Sequence, residues 1–241
     1  MITVSQLATM ADLVYTSHTP QSSGLPAGIT RVDKPLPPSR TGFSGAVYKA
    51  NGYAAITFRG TDKTSAVDWI HNAGCHSILA TQFSEALNFA IASIKNHKLE
   101  DHSTYICGHS LGGGLTKYVT HNLPKAHGGF SPLAGVSFNG PGLTAGMYEQ
   151  GLAVRLGLVV ALLHAATLRN DAPAPGSTSA KIANVNIVGD VVSQIGNSAG
   201  RIHTIPPSNG GGDPLTCHLM TTVIPSVAAC ALGNMHGTQI V

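Results

Sequence analysis

Residues 105–114 read Tyr-Ile-Cys-Gly-His-Ser-Leu-Gly-Gly-Gly. Tyr105-Ile106-Cys107 is a short apolar run of the kind a buried strand carries. Gly108-His109-Ser110-Leu111-Gly112 follows at once, and a helix is predicted from about residue 112 to 121. Gly-x-Ser-x-Gly between a strand and a helix is the pattern of a nucleophile elbow, a sharp turn that lifts the serine hydroxyl above the edge of a sheet. Side chains at Gly108 and Gly112 would collide across such a turn. The start of the following helix also supplies unpaired N–H groups to a developing oxyanion.

Working outward, strands and helices alternate. Leu7, Met10, Ala11 and Val14 predict an N-terminal helix over 5–16, and a proline-rich loop follows over 24–39. Residues 43–49 read as a strand, Asn51-Gly52 as a hairpin turn and 53–58 (YAAITF) as a buried strand ending at Arg59-Gly60-Thr61. Phe83, Ala86, Leu87, Ala90, Ile91 and Ile94 predict an amphipathic helix over 81–97. Further strands are expected at 133–138, closed by Asn139-Gly140-Pro141-Gly142, at 185–188, ending at Gly189-Asp190, and at 201–205. Residues 147–168 read as a mostly apolar helix, and 206–217 as a loop. This order predicts an α/β protein with a mostly parallel sheet covered on both faces. Its site belongs at the carboxyl ends of the strands, where each motif falls. Together with the elbow this predicts the α/β-hydrolase fold, in one domain over residues 1–241.

A serine hydroxyl needs a neighbouring base, and in this fold the order is Ser, then Asp or Glu, then His. The acids after Ser110 are Glu149, Asp171, Asp190 and Asp213. Asp190 alone directly follows an apolar strand, which puts it at the sheet edge that holds Ser110. Asp171 lies in a Pro/Ala/Gly-rich loop and Asp213 in a glycine-rich turn. Of the later histidines, His203 sits within a strand and His236 in a small-residue tail. His218 follows the long loop, from which it can reach back over the sheet edge. His218 is therefore the expected base, with His236 as the alternative.

Composition removes other classes. A net charge of +3, with no Lys/Arg cluster, gives no phosphate-tracking stripe and excludes nucleic acid as a partner. No His/Cys/Asp group has metal-ligand spacing, so no metal or organic cofactor is expected. Cys75, Cys107, Cys217 and Cys230 form no Cys-x-x-Cys pair and are expected to be reduced thiols. The N-terminus has no basic and apolar blocks of a secretory leader. A cytoplasmic location, or export by a signal-independent route, is the expectation.

Phe58-Arg59-Gly60-Thr61, Trp69, Gly-His-Ser-Leu-Gly-Gly-Gly and Gly189-Asp190-Val191-Val192, in that order, resemble the class 3, fungal-lipase-like family over residues 43–218. Phe138-Asn139-Gly140-Pro141-Gly142 is similar to that family's strand ending after the nucleophile helix. The resemblance implies a lipase or phospholipase with Ser110, Asp190 and His218 as its triad. It implies that the backbone N–H of Thr61 pairs with that of Leu111 as oxyanion donors. The substrate would be a lipid ester, with transient membrane-surface contact left open and protein partners unspecified. The family places its lid after the oxyanion strand, here residues 62–76 around Trp69. The apolar stretch 151–168 is a second lid candidate or a buried helix. Two other readings of the same residues stay open: a soluble esterase or thioesterase, and a catalytically silent binding protein on this fold.

Overall fold

Apolar residues at alternate or successive positions build one seven-stranded sheet. The computed structural model describes residues 1–16, 24–35, 37–61, 76–143, 181–195, 198–210 and 212–241. The strands are β1 (Thr30–Arg31), β2 (Gly45–Ala50), β3 (Tyr53–Phe58), β4 (Ser103–His109), β5 (Ala134–Phe138), β6 (Ile182–Ile187) and β7 (Arg201–Ile205). They lie side by side in chain order. β1, β2 and β3 pair antiparallel, and β3 to β7 are parallel. The hairpin between β2 and β3 turns at Asn51-Gly52, where Gly52 takes φ 71°.

The helices are α1 (Val4–Leu13), α2 (His76–His97), α3 (Leu111–Ala126), α4 (Pro214–His218) and α5 (Met220–Ala229). A parallel sheet wound in one direction puts its crossover helices on the same face. The two crossover helices among the described residues, α2 and α3, are arranged so. Ile56 and Ile106 share a core with Phe83 and Ala90 of α2 and Leu115 and Val119 of α3. Their strand neighbours Ala55, Tyr105 and Cys107 point the other way, onto Leu7 and Met10 of α1 and Val223 and Val227 of α5. α1 and α5 thus cover the face opposite α2 and α3. Each large side chain buried there contributes about 1.5–3 kcal/mol relative to exposure.

α1 starts on a capping box. The Thr3 hydroxyl accepts from the Gln6 N–H (3.2 Å), and the Gln6 side chain accepts from the Thr3 N–H (2.9 Å). The expected elements at 43–49, 53–58, 81–97, 133–138 and 201–205 are present within a few residues. The strand expected at 185–188 begins earlier, at Ile182, and ends at Ile187. The segment taken as a loop over 206–217 contains most of α4, and residues beyond it form α5. The 24–39 loop carries β1. The predicted helix over 147–168, both lid candidates and Cys75 lie outside the described residues. Among those described, Cys107, Cys217 and Cys230 are free thiols. Cys107 packs in the core, and burial pushes its thiol pKa up.

Lys117 of α3 is fully buried and donates to the carbonyls of Gly140 (3.0 Å) and Pro141 (2.7 Å) and to Ser198 Oγ (3.1 Å). Burial lowers its pKa to about 7. An unfolded lysine titrates at about 10.4, so above about pH 7 the unfolded chain binds the extra proton. Stability contributed by this group therefore rises from about pH 7 to about pH 10 and is flat below. Chemical denaturation of wild type and Lys117→Met across that range is expected to show a stability difference that grows with pH in favour of wild type. A pH-independent difference would mean that Lys117 stays charged in the fold.

Candidate active site

The elbow is built by close backbone approach. A Cβ on Gly108 would stand 2.4 Å from the Gly112 carbonyl oxygen, and one on Gly112 would stand 2.2 Å from that of Phe58. Neither position accepts a side chain without moving the end of β3 or the first turn of α3. Ser110 itself has φ 57° and ψ −129°, a strained conformation for a residue with a Cβ. It is held there by its N–H donating to the Phe138 carbonyl (3.0 Å) and by its carbonyl accepting from the Gly113 N–H (2.8 Å).

Ser110, His218 and Asp190 come together in one buried chain of hydrogen bonds. Ser110 Oγ is 2.8 Å from His218 Nε2, and His218 Nδ1 is 2.7 Å from Asp190 Oδ1. A carboxylate only accepts, so Nδ1 carries the imidazole proton. Nε2 is left as the acceptor for the serine hydroxyl. The Asp190 carboxylate also accepts from the N–H groups of Val192 (3.3 Å) and Ser193 (2.8 Å). Burial alone raises the Asp190 pKa. The hydrogen bond and charge of His218 and the hydrogen bonds of Ser193 together outweigh it and hold the carboxyl below its ordinary value. Asp190 is thus ionised where His218 needs a negative partner.

The other sequence candidates stand elsewhere. His203 Nε2 donates to the Ile240 carbonyl (2.6 Å), and His236 forms an isolated bridge with Thr3. Asp213 is exposed and caps α4, accepting from the N–H groups of Leu215 and Thr216 (2.9 and 3.1 Å). Asp171 and Glu149 are outside the described residues. His218 lies at the end of the short helix α4, not on a loop, and is buried. Its neighbour Cys217 is buried too.

Thr61 and Leu111 flank the serine. Thr61 lines a small cavity together with Tyr15, His109, Ser110, His218, Leu219 and Met220. Leu111 opens α3, so its N–H has no acceptor within the helix. Gly60 lets the chain after β3 pass close to the serine: a Cβ there would meet Ser110 Cβ at 3.0 Å and the Tyr15 hydroxyl at 2.5 Å.

Three further side chains around the serine and histidine escape a reading of the sequence. Tyr15, just after α1, bonds His109 Nδ1 (2.9 Å). His109 Nε2 donates to the His218 carbonyl (2.6 Å). Asn139 Nδ2 donates to the carbonyls of Cys217 (3.0 Å) and His218 (3.2 Å). Only the position of Asn139 at a strand end marked it. Nothing near Tyr15 in the sequence links it to a residue 94 positions away. Among the described residues no group of His, Cys, Asp and Glu could hold a metal ion, and no helix is long and apolar enough to cross a membrane.

Comparison with known structures places the fold among lipases. The Rhizomucor miehei lipase in its native propeptide complex matches with a TM-score of 0.56 at 13% identity, covering 96% of this chain and 80% of that one. A triacylglycerol lipase from Penicillium expansum matches with a TM-score of 0.51 at 16% identity, covering 95% and 86%. At such identities the likeness is one of fold, and it agrees with the α/β-hydrolase architecture. No curated protein matches in sequence. The model of the Tle-like phospholipase domain matches residues 6–211, which takes in the elbow, the Asp190 turn and all seven strands. The chain therefore belongs to the phospholipase-like family of Tle-like phospholipase domains, and is a carboxylic ester hydrolase.

Proposed function

We propose that Ser110, His218 and Asp190 are the catalytic triad of this lipid ester hydrolase, and that its substrates are phospholipids. The observation that carries the triad is the continuous chain Ser110 Oγ–His218 Nε2 and His218 Nδ1–Asp190 Oδ1, at 2.8 and 2.7 Å. The family's phospholipase description supports the substrate. Ser110 Oγ attacks the ester carbonyl carbon as its proton passes to His218 Nε2. Thr61 and Leu111 donate N–H groups to the oxyanion, each such donor being worth about 2.7–4 kcal/mol of barrier. The tetrahedral intermediate collapses, His218 gives its proton to the leaving alkoxide, and an acyl ester remains on Ser110. Water then attacks with His218 as base, the fatty acid leaves, and the proton returns to Ser110. Asp190 keeps the imidazole in the required tautomer and stabilises the imidazolium as it forms.

Val188 and Val191 are exposed beside Asp190, and Leu215 is exposed on the helix that carries His218. These apolar side chains next to the site support transient contact with a lipid surface. One observation favours a second reading, hydrolysis of small soluble esters: Ser110 is only 4% exposed. A fluorophosphonate is expected to label Ser110 and no other residue, because only an activated serine reacts at a useful rate. Peptide mapping of the labelled, folded protein checks this, and a label elsewhere or none at all ends the triad assignment. Mass spectrometry of acids released from phospholipids, triglycerides and short soluble esters then separates the readings. Release from soluble esters alone would rule out phospholipids as the substrates.

A further inference from the structure

Asn139 directly follows β5 with a left-handed backbone, φ 46°, and is wholly buried. A glycine would take that conformation without strain, so the position is explained by what the side chain does. Both of its ends are engaged. Oδ1 accepts from the Ile187 N–H (2.8 Å) at the end of β6, three residues before Asp190. Nδ2 donates to the carbonyls of Cys217 and His218 at the end of α4 (3.0 and 3.2 Å). These partners fix the amide's orientation, since an N–H requires the oxygen and two carbonyls require the NH2.

α4 has only five residues. A helix this short has little rigidity of its own, and its last carbonyls have no intrahelical donor. One of them belongs to His218. We propose that Asn139 is a positioning residue for His218, a strut that ties the carbonyls flanking the base to the strand that leads to the acid. His109 supplies the second donor to the His218 carbonyl, at 2.6 Å. With the backbone of His218 held from two sides, its ring keeps one geometry between Ser110 Oγ and Asp190 Oδ1. This rests on the triad reading above. Positioning matters at this scale because a displacement of about 1 Å in a reacting group can cost about 10²-fold in rate.

Two variants separate the ends of the strut. Asn139→Asp keeps the size and the acceptor for Ile187, and tolerates the left-handed backbone. It turns a carboxylate oxygen towards two carbonyls where a donor stood. Asn139→Gly removes both ends and relaxes the backbone. Three readouts are taken: kcat and KM on a hydrolysed ester, the thermal midpoint, and the low-field proton resonance of His218 Nδ1–H in 15N-histidine-labelled protein. We expect kcat to fall on the order of 10- to 100-fold in both variants with KM little changed. The His218 resonance should shift or broaden in both. Wild-type kcat in Asn139→Asp, or an unchanged resonance in either folded variant, overturns the proposal, because the donor bonds to the Cys217 and His218 carbonyls would then not set the geometry of the base. If Asn139→Asp does not fold, Asn139→Gly decides on the same readouts. If the wild-type protein hydrolyses no ester, the triad reading fails, and the resonance still tests the strut.

Discussion

His218→Ala is expected to lower kcat for ester hydrolysis on the order of 10³-fold or more, while His236→Ala leaves it within about twofold, the change expected away from the reacting groups. The difference follows from placement. His218 Nε2 is 2.8 Å from Ser110 Oγ, the reach a general base needs. His236 instead bridges to Thr3, the residue that caps α1. Without an imidazole the serine proton has no acceptor, and the leaving alkoxide has no donor. Both halves of the reaction lose their proton relay. The activity that remains would come from the oxyanion donors and from substrate binding, which do not depend on the histidine. KM should change little, because His218 meets the reacting atoms and not the acyl chain. Steady-state kinetics on the same ester, with a thermal midpoint to show that each variant is folded, decides the point. If His236→Ala is the silencing change and His218→Ala is not, the base has been misassigned.

The strands that position the site were legible because each one couples an apolar run to a turn signal. Tyr53–Phe58 ends on Arg59-Gly60, Ser103–His109 on the elbow, Ala134–Phe138 on Asn139-Gly140, and Ile182–Ile187 shortly before Gly189-Asp190. All four are parallel and central, so the sequence at their carboxyl ends lines one edge. β1 was not legible, since two residues paired at a sheet edge carry no period. α4 and α5 were hidden for different reasons. α4 has only five residues, although Asp213-Pro214 is an N-cap followed by proline at the first helical position. α5 contains Pro225, a residue that ordinarily ends a helix. Its Met220, Val223 and Val227 nevertheless keep the helical spacing that packs them against α1. Ser110, Asp190 and His218 could be picked by order along the chain. Asn139, His109 and Tyr15 could not, because their roles are hydrogen bonds to backbone carbonyls and to one another. Such contacts exist only once distant segments have met.

Asp190→Asn is expected to cut kcat by about 10³- to 10⁴-fold with the fold intact. The reason is a conflict among donors. One carboxylate oxygen accepts from His218 Nδ1 and the Val192 N–H, and the other accepts from the Ser193 N–H. An asparagine has a single oxygen for these three donors. If the oxygen faces Ser193, its shorter backbone contact at 2.8 Å, the NH2 faces His218 Nδ1. The imidazole must then accept at Nδ1 and carry its proton on Nε2, so it cannot take the proton of Ser110. If the oxygen instead faces His218, the NH2 meets the Ser193 N–H and a buried donor is left unpaired. The first arrangement silences the base, and the second leaves it without a negative partner for the imidazolium. The variant also has a stability signature. The folded Asp190 pKa is depressed, so its contribution is present above the unfolded value of about 3.9 and is lost as pH falls through the folded value. The stability advantage of wild type over Asp190→Asn should therefore be full near neutrality and fade under strongly acid conditions. Kinetics at neutral pH and denaturation at several acid pH values measure the two effects separately. An Asp190→Asn enzyme with near wild-type kcat would show that the carboxylate does not set the tautomer of His218.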